Sequence, residues 1–546
     1  MRSTLTVGFT ARCAPDPATA CASDADCAPP ARCLRTAQLT IEVAGLLTLD
    51  ASAKIIARGL AAAGDTIGPD GGTITLSAHD VNLAGSIRVP AEAQGTLGVP
   101  AGHAGRIAID ADGTVMLAPT AFLDASTSSG GCGGTIGIGN GAKTPATLSA
   151  AGLLVVDGAT FGGTIHLVAR DRLALTGTLQ ASNTDGALSS RPPCTDDPGG
   201  PPPCGGALEA RGGTIELEAA RVLFQGLARA RGREAEGGIV RLEGGREVTL
   251  DSSAPSPAII VTGGQTDRFC SGGVVSLSAS AGDVAVLRGA IEADGLSTGL
   301  GSDAGAFSIT ATGATRCLAD AAPCTSTADC APGDVCVETG GQVSVQAPLS
   351  AAGGAGLGSG CCLDPRCGRG CEVRGSGAVA VSAAINVGGG KQRGGSGGKV
   401  SLSGGGDLSV GPGPITAEAA NGGTIILTGG SRIGSAGNVS GALTVVNGTQ
   451  VRADALRDDG VGGDVQLEGC EVTLEPTVAL RADGGSHAGP VSVIAHERLA
   501  IESLVQVSAL PDGPITLASR TDASVAPDAT FQPPSTPTTD PTLLAC

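Results

Sequence analysis

Apolar residues in this chain fall in short alternating runs. In Thr73-Ile74-Thr75-Leu76 every second side chain is apolar, the period of a half-buried strand. After a corner the alternation resumes as Val81-Asn82-Leu83, then again as Gly85-Ser86-Ile87. The second run recurs as Leu173-Ala174-Leu175, Val284-Ala285-Val286, Leu408-Ser409-Val410, Val472-Thr473-Leu474 and Leu499-Ala500-Ile501. A third apolar segment follows in places, as in Ala290-Ile291-Glu292-Ala293. No helical period interrupts them.

Glycine pairs punctuate these runs in the pattern Gly-Gly-x-[Ile/Val]-x-[Leu/Ile/Val]. Strict copies begin at Gly71, Gly133, Gly162, Gly212, Gly237, Gly272, Gly340, Gly397, Gly422 and Gly462. Looser ones begin at Gly105, Gly305, Gly377, Gly489 and Gly513. The spacing averages about 32 residues but varies widely, which predicts a fixed coil carrying loops of different length. A triplet of short strands cannot bury its apolar face alone; stacked on its copies it forms a narrow continuous core. Strands at one position in successive coils then run parallel, and crossover chirality favours the right hand. The expectation is an all-β, right-handed parallel β-helix of about 15 coils over residues 1–520, a rod about 70 Å long. Residues 521–546, with Pro533-Pro534-Ser535-Thr536-Pro537, are set apart as a Pro/Thr-rich tail.

Composition agrees. The chain has 89 Gly, 7 Phe, no Trp and no Tyr, yet 41% of its 546 residues are hydrophobic. Small and β-branched residues suit thin stacked strands, and a narrow core leaves little room for rings. The formal net charge is −18, and the 34 basic residues are scattered, which excludes the basic stripe of a nucleic-acid binder. No stretch approaches the apolar length of a membrane-spanning helix.

The glycine-marked pattern over about residues 38–520 resembles the haemagglutination-type repeats of filamentous-haemagglutinin-like adhesins and autotransporter passengers, within the pectin-lyase-like β-helix class. The resemblance implies the fold. It implies no single activity, since lyases, hydrolases and inert stalks share that fold.

Eighteen cysteines point to an oxidising compartment. Cys13, Cys21, Cys27 and Cys33 form one insert (13–33), and Cys317, Cys324, Cys330 and Cys336 form a second (317–336). Both end in Cys-x5-Cys-x5-Cys and share Ala-Asp-Cys-Ala-Pro, so they are copies, each with three possible two-disulfide connectivities. Cys194 and Cys204 bracket a proline-rich loop (194–204); Cys361, Cys362, Cys367 and Cys371 form the densest insert (361–371). All fourteen are disulfide candidates. None has zinc-finger spacing or a nearby histidine, so no metal or cofactor is assigned. Cys132, Cys204, Cys270, Cys336 and Cys371 each precede a repeat strand, which would line the loops along one edge.

No catalytic constellation emerges. His79 and His496 fall at equivalent corners that hold Arg170 and Cys470 in other repeats, which reads as a turn position. His103 and His487 both sit in His-Ala-Gly before a strand, and His166 should face outward. The close carboxylate pairs, Asp24/Asp26, Asp110/Asp112 and Asp458/Asp459, lie in turns, where Asp is an ordinary turn former. The expected function is a non-enzymatic secreted or cell-surface rod whose loops bind a surface glycan or protein. The alternative is a carbohydrate-active β-helix, whose paired acids would lie on one face. Met1 opens without a signal peptide, and the run from Leu5 to Cys13 matches that from Ile309 to Cys317, so the chain is expected to enter in mid-coil.

Overall fold

The computed structural model describes residues 3–14, 32–58, 70–91, 102–127, 131–184, 211–232, 236–254, 257, 258–263, 272–295, 304–317, 324, 329–331, 336–339, 341–353, 371–392, 395–430, 432–433, 438–439, 441–543 and 545–546. No α-helix occurs among them. The strands form parallel stacks, the architecture of a right-handed parallel β-helix. The chain divides into two compact units, Met1–Arg241 with Ala258–Gly264, and Leu242–Pro257 with Gln265–Cys546.

In the first unit each coil contributes three strands. Its first strands include Thr73–Ala78, Arg106–Ala111, Thr135–Ile138 and Thr164–Val168, paired in parallel and in register. Second strands such as Asp80–Leu83, Thr114–Leu117 and Thr147–Ala150 stack beside them, and third strands such as Ser86–Arg88 and Phe122–Asp124 close the coil. The alternation reads directly as burial. Ile74, Ile107, Ile136, Ile165 and Ile215 form one register column and all are fully buried. His166 lies on the outward side of that sheet, as its place in the alternation requires.

Glycine pairs mark the turn into each first strand because two backbones meet there. A Cβ added at Gly163 would overlap the Gly134 carbonyl oxygen in the coil before. Only glycine permits that approach.

The second unit repeats the plan, with Val400, Ile425, Val465 and Val491 as a buried column. Two repeat copies prove to mark another place. The segments after Gly340 and Gly377, Val343–Val345 and Val379–Val381, are second strands, paired with Asp283–Arg288 and Leu408–Val410. The first strands of those coils are Ala306–Ala311 and Cys371–Gly375. A second strand shows the same alternation, and Gly341 serves there as a corner residue with φ +72°.

Residues beyond 520 extend the stack. Asp522–Val525 pairs with Val491–Ile501, Thr530–Gln532 with Gln506–Ser508, and Thr538–Thr539 with Ile515–Ser519. At the other end, Ser3–Ala14 runs antiparallel to Arg32–Val43, with Leu5 opposite Ile41. Ala306–Ala311 is instead parallel to both its neighbours, so the Leu5 run does not take the place of the Ile309 run.

Candidate functional site: coil corners and cysteine inserts

The corner between first and second strands carries most of the chemistry. His79 Nδ1 lies 2.5 Å from Asp112 Oδ1 in the next coil, with both side chains more than half exposed. Arg170 donates to the Asp112 carbonyl oxygen at 2.9 Å. His496 is buried and pairs with Glu468 across 2.8 Å. It sits in a bulge: Gly469 pairs Ala495 and Glu471 pairs Arg498, so His496 and Glu497 face Cys470 alone. The four residues that read as a tolerant turn position therefore all make contacts along the stack. Elsewhere His487 pairs with Asp512 at 3.0 Å, and the main chain of His103 donates to Asp70 at 2.7 Å.

Asp110 and Asp112, two residues apart, are pushed in opposite directions. Burial raises the pKa of Asp110 against the lowering pull of Arg106 and Lys143, while the His79 hydrogen bond lowers Asp112. Asp459 is ion-paired with Arg457 at 2.7 Å. Asp24 and Asp26 lie outside the described residues.

Carboxylates have a recurring task that close-pair spacing does not reveal. Asp157 accepts the main-chain N–H of Ser182 at 2.7 Å, Asp294 that of Ala352 at 2.8 Å, Asp454 that of Asp483 at 2.9 Å, and Asp483 that of Leu510 at 2.9 Å. Each acid sits just past a third strand and caps the following coil. At the start of the second strand, Asp80 and Asp283, and Asp407 just before it, accept the main-chain N–H groups of Thr114, Gln342 and Ala442 in the same way. A buried N–H left without an acceptor is costly, and a short carboxylate projecting along the stack supplies one.

In the second unit the caps join into a charge ladder. Arg452 and Arg481 stack in register, and the acids Glu418, Asp454 and Asp483 lie two residues beyond the third-strand column. Arg452 reaches Glu418 at 2.8 Å and Asp454 at 3.4 Å; Arg481 reaches Asp454 at 3.3 Å and Asp483 at 2.9 Å. Burial raises the pKa of Asp454 and of Glu418 despite these cations. The sequence signal is the tetrad Ile415-Thr416-Ala417-Glu418, Val451-Arg452-Ala453-Asp454 and Leu480-Arg481-Ala482-Asp483, whose members lie a coil apart and so escape a search for neighbouring acids.

Among the disulfide candidates, Cys317 is bonded to Cys330, within the second insert, with Cα atoms 5.5 Å apart. Cys324 and Cys371 are also disulfide-bonded, as is Cys132. Each of the two duplicate inserts is carried at the end of an antiparallel ladder in which its first and fourth cysteines are opposite, Cys13 with Cys33 and Cys317 with Cys336. The second ladder, Ala314–Cys317 with Cys336–Thr339, leaves between a first and a second strand, whereas Cys132 lies in the turn before a first strand. Cys317 and Cys336 thus issue from a different corner than Cys132. Cys21, Cys27, Cys194, Cys204, Cys270, Cys361, Cys362 and Cys367 lie outside the described residues. One bond was not foreseen: Cys470 is joined to Cys546. Among the described residues, the thiol-rich groups with ligand-like spacing, Cys317/Cys324/Cys330 and Cys470/Glu497/Cys546, have their sulfurs engaged in disulfides.

Comparison with protein-family models, curated proteins and solved structures finds no match. The class is therefore defined by the fold: an all-β right-handed parallel β-helix with disulfide-bonded cysteine loops. No helix among the described residues is long and apolar enough to cross a membrane.

Proposed function

We propose that this chain is a non-enzymatic, secreted or cell-surface β-helix that presents cysteine-stapled loops to a surface glycan or protein. The observation that carries the reading is the use of its acids. Asp70, Asp80, Asp157, Asp283, Asp294, Asp407, Asp454 and Asp483 each accept a main-chain N–H of the next coil. That is the chemistry of a scaffold. Loops on such a scaffold commonly carry recognition. The disulfides support an oxidising, extracellular setting, and the glycine-marked repeat supports kinship in style with filamentous-haemagglutinin-like adhesins. A glycan-array and cell-binding screen of the purified chain tests this: saturable binding that reduction of the disulfides abolishes supports it, and absence of binding in both formats rejects it.

A second reading, a carbohydrate-active β-helix, draws on Asp110 and Asp112, because acids displaced in opposite directions can divide the roles of proton donor and base. Turnover of any polysaccharide that Asp110→Asn and Asp112→Asn each abolish would establish it in place of the first.

A further inference from the structure

Three Asn-Gly pairs occur in the chain, Asn140-Gly141, Asn421-Gly422 and Asn447-Gly448. The pair is chemically special because glycine carries no side chain to hinder attack of its nitrogen on the preceding carboxamide. Sequence alone makes the three equivalent; the fold does not.

Asn421 is pinned. Its Oδ1 accepts Val461 N–H at 3.1 Å, its own N–H donates to Gly395 at 2.9 Å, and Gly422 N–H donates to the Val461 carbonyl at 2.8 Å. The nitrogen that would attack is thus held in a cross-coil bond. Asn447 is exposed but partly held: its N–H donates to Glu475 at 2.9 Å, its Oδ1 accepts from Thr477 at 2.7 Å, and Gly448 N–H reaches Pro476 at 3.3 Å. Asn140 and Gly141 differ from both. Both are exposed, in the segment between the strands Thr135–Ile138 and Thr147–Ala150. Neither the Asn140 carboxamide nor the Gly141 N–H makes a hydrogen bond among the described residues. The carboxamide lies over Gly137, where a Cβ would displace it, and the Asp110 carboxylate lies against Gly141.

We infer that Asn140-Gly141 is a self-modification site, at which the loop asparagine converts to aspartate and isoaspartate. The Gly141 nitrogen, losing its proton to water, bonds to Asn140 Cγ, and the side-chain nitrogen leaves as ammonia. The cyclic imide then takes up one water and opens at either carbonyl. No oxidant or reductant is needed. The product places a new carboxylate in the segment that bears Lys143 and lies against Asp110, and the isoaspartate form lengthens the main chain by one carbon.

The test is peptide mapping by mass spectrometry of the intact folded chain, aged at physiological temperature and mildly alkaline pH, beside a urea-unfolded sample. In the folded chain Asn140 should convert first, at least about tenfold faster than Asn421, the factor set by a local opening cost of about 1.4 kcal/mol. Asn447 should fall between them. In urea the three should converge, since only the fold distinguishes them. Asn140 slower than either other site in the folded chain, equal rates at all three, or no conversion at Asn140 would each overturn the inference.

Discussion

Cys470 and Cys546 are 76 residues apart in sequence, yet their Cα atoms lie 5.7 Å apart and their sulfurs are bonded. The bond runs from a first-to-second-strand corner to a residue beyond the strand Thr538–Thr539, and the strands Asp522–Val525, Thr530–Gln532 and Thr538–Thr539 fall within its loop. Chain-entropy reasoning puts the closure of such a loop at about 4.5 kcal/mol. Cys470→Ser should therefore expose the residues after Ser519 to limited proteolysis while the buried column at Ile425 stays protected. Equal cleavage of wild type and variant would show that this coil does not depend on the bond.

The stack is also sensitive from within. Ile425 is fully buried between Val400 and Val465, so Ile425→Asp places a carboxylate where no cation can reach it. A loss of several kcal/mol is expected, with thermal unfolding as the readout. Ile425→Val should cost only about 1 kcal/mol. A variant with aspartate that melts with the parent would place this face outward.

Glycine at the entry to a first strand should be as strict as any core position. Gly423 faces the Gly398 carbonyl as Gly163 faces Gly134, so Gly423→Ala forces two backbones apart. Gly448 has open space around a missing Cβ, but its φ of +78° strains any side chain. Gly448→Ala should cost about 1 kcal/mol, and Gly423→Ala clearly more, as judged by urea midpoints.

Asp157 supplies a pH signature. Desolvation raises its pKa, outweighing the hydrogen bonds from Ser182 and Gln180, and nearby Asp124 adds to the rise. A carboxyl raised in the folded state contributes stability that is fully present below its unfolded pKa and is lost as pH rises through the folded value. Between the ordinary aspartate range and that raised value, stability should therefore fall with rising pH. Asp157→Asn keeps an acceptor for Ser182 N–H and should flatten that part of the profile. An unchanged slope, measured by urea unfolding across weakly acidic pH, would remove Asp157 as its source.

Cys317–Cys330 joins the first and third cysteines of its insert, and Cys324 is disulfide-bonded as well, so a crossed pattern with Cys324 linked to Cys336 is the expected outcome. The matched spacing, and the matched opposition of first and fourth cysteines on the carrying ladders, predict the same crossed pattern for Cys13–Cys27 and Cys21–Cys33. Non-reducing peptide mapping should return these links. Bonds between the two inserts would break the analogy.

The repeating unit was legible along the chain. Alternation at period 2 assigned Ile74, Leu76 and Ile425 to the core, and the glycine pairs marked where neighbouring backbones touch, because both follow from residues adjacent along the chain. The same local view took the copies at Gly340 and Gly377 for first strands, since a second strand carries the identical pattern. It set residues 521–546 aside on their prolines, although Asp522–Val525 pairs with the coil before. What lies across from what was left to the tertiary structure. Asp454 meets Asp483 N–H and Arg481, His79 meets Asp112, and Cys470 meets Cys546 only after loops of unequal length have been closed. Each coil adds its own number of residues between equivalent positions, so the partners of a corner side chain are fixed by stacking register and not by any constant spacing in the sequence.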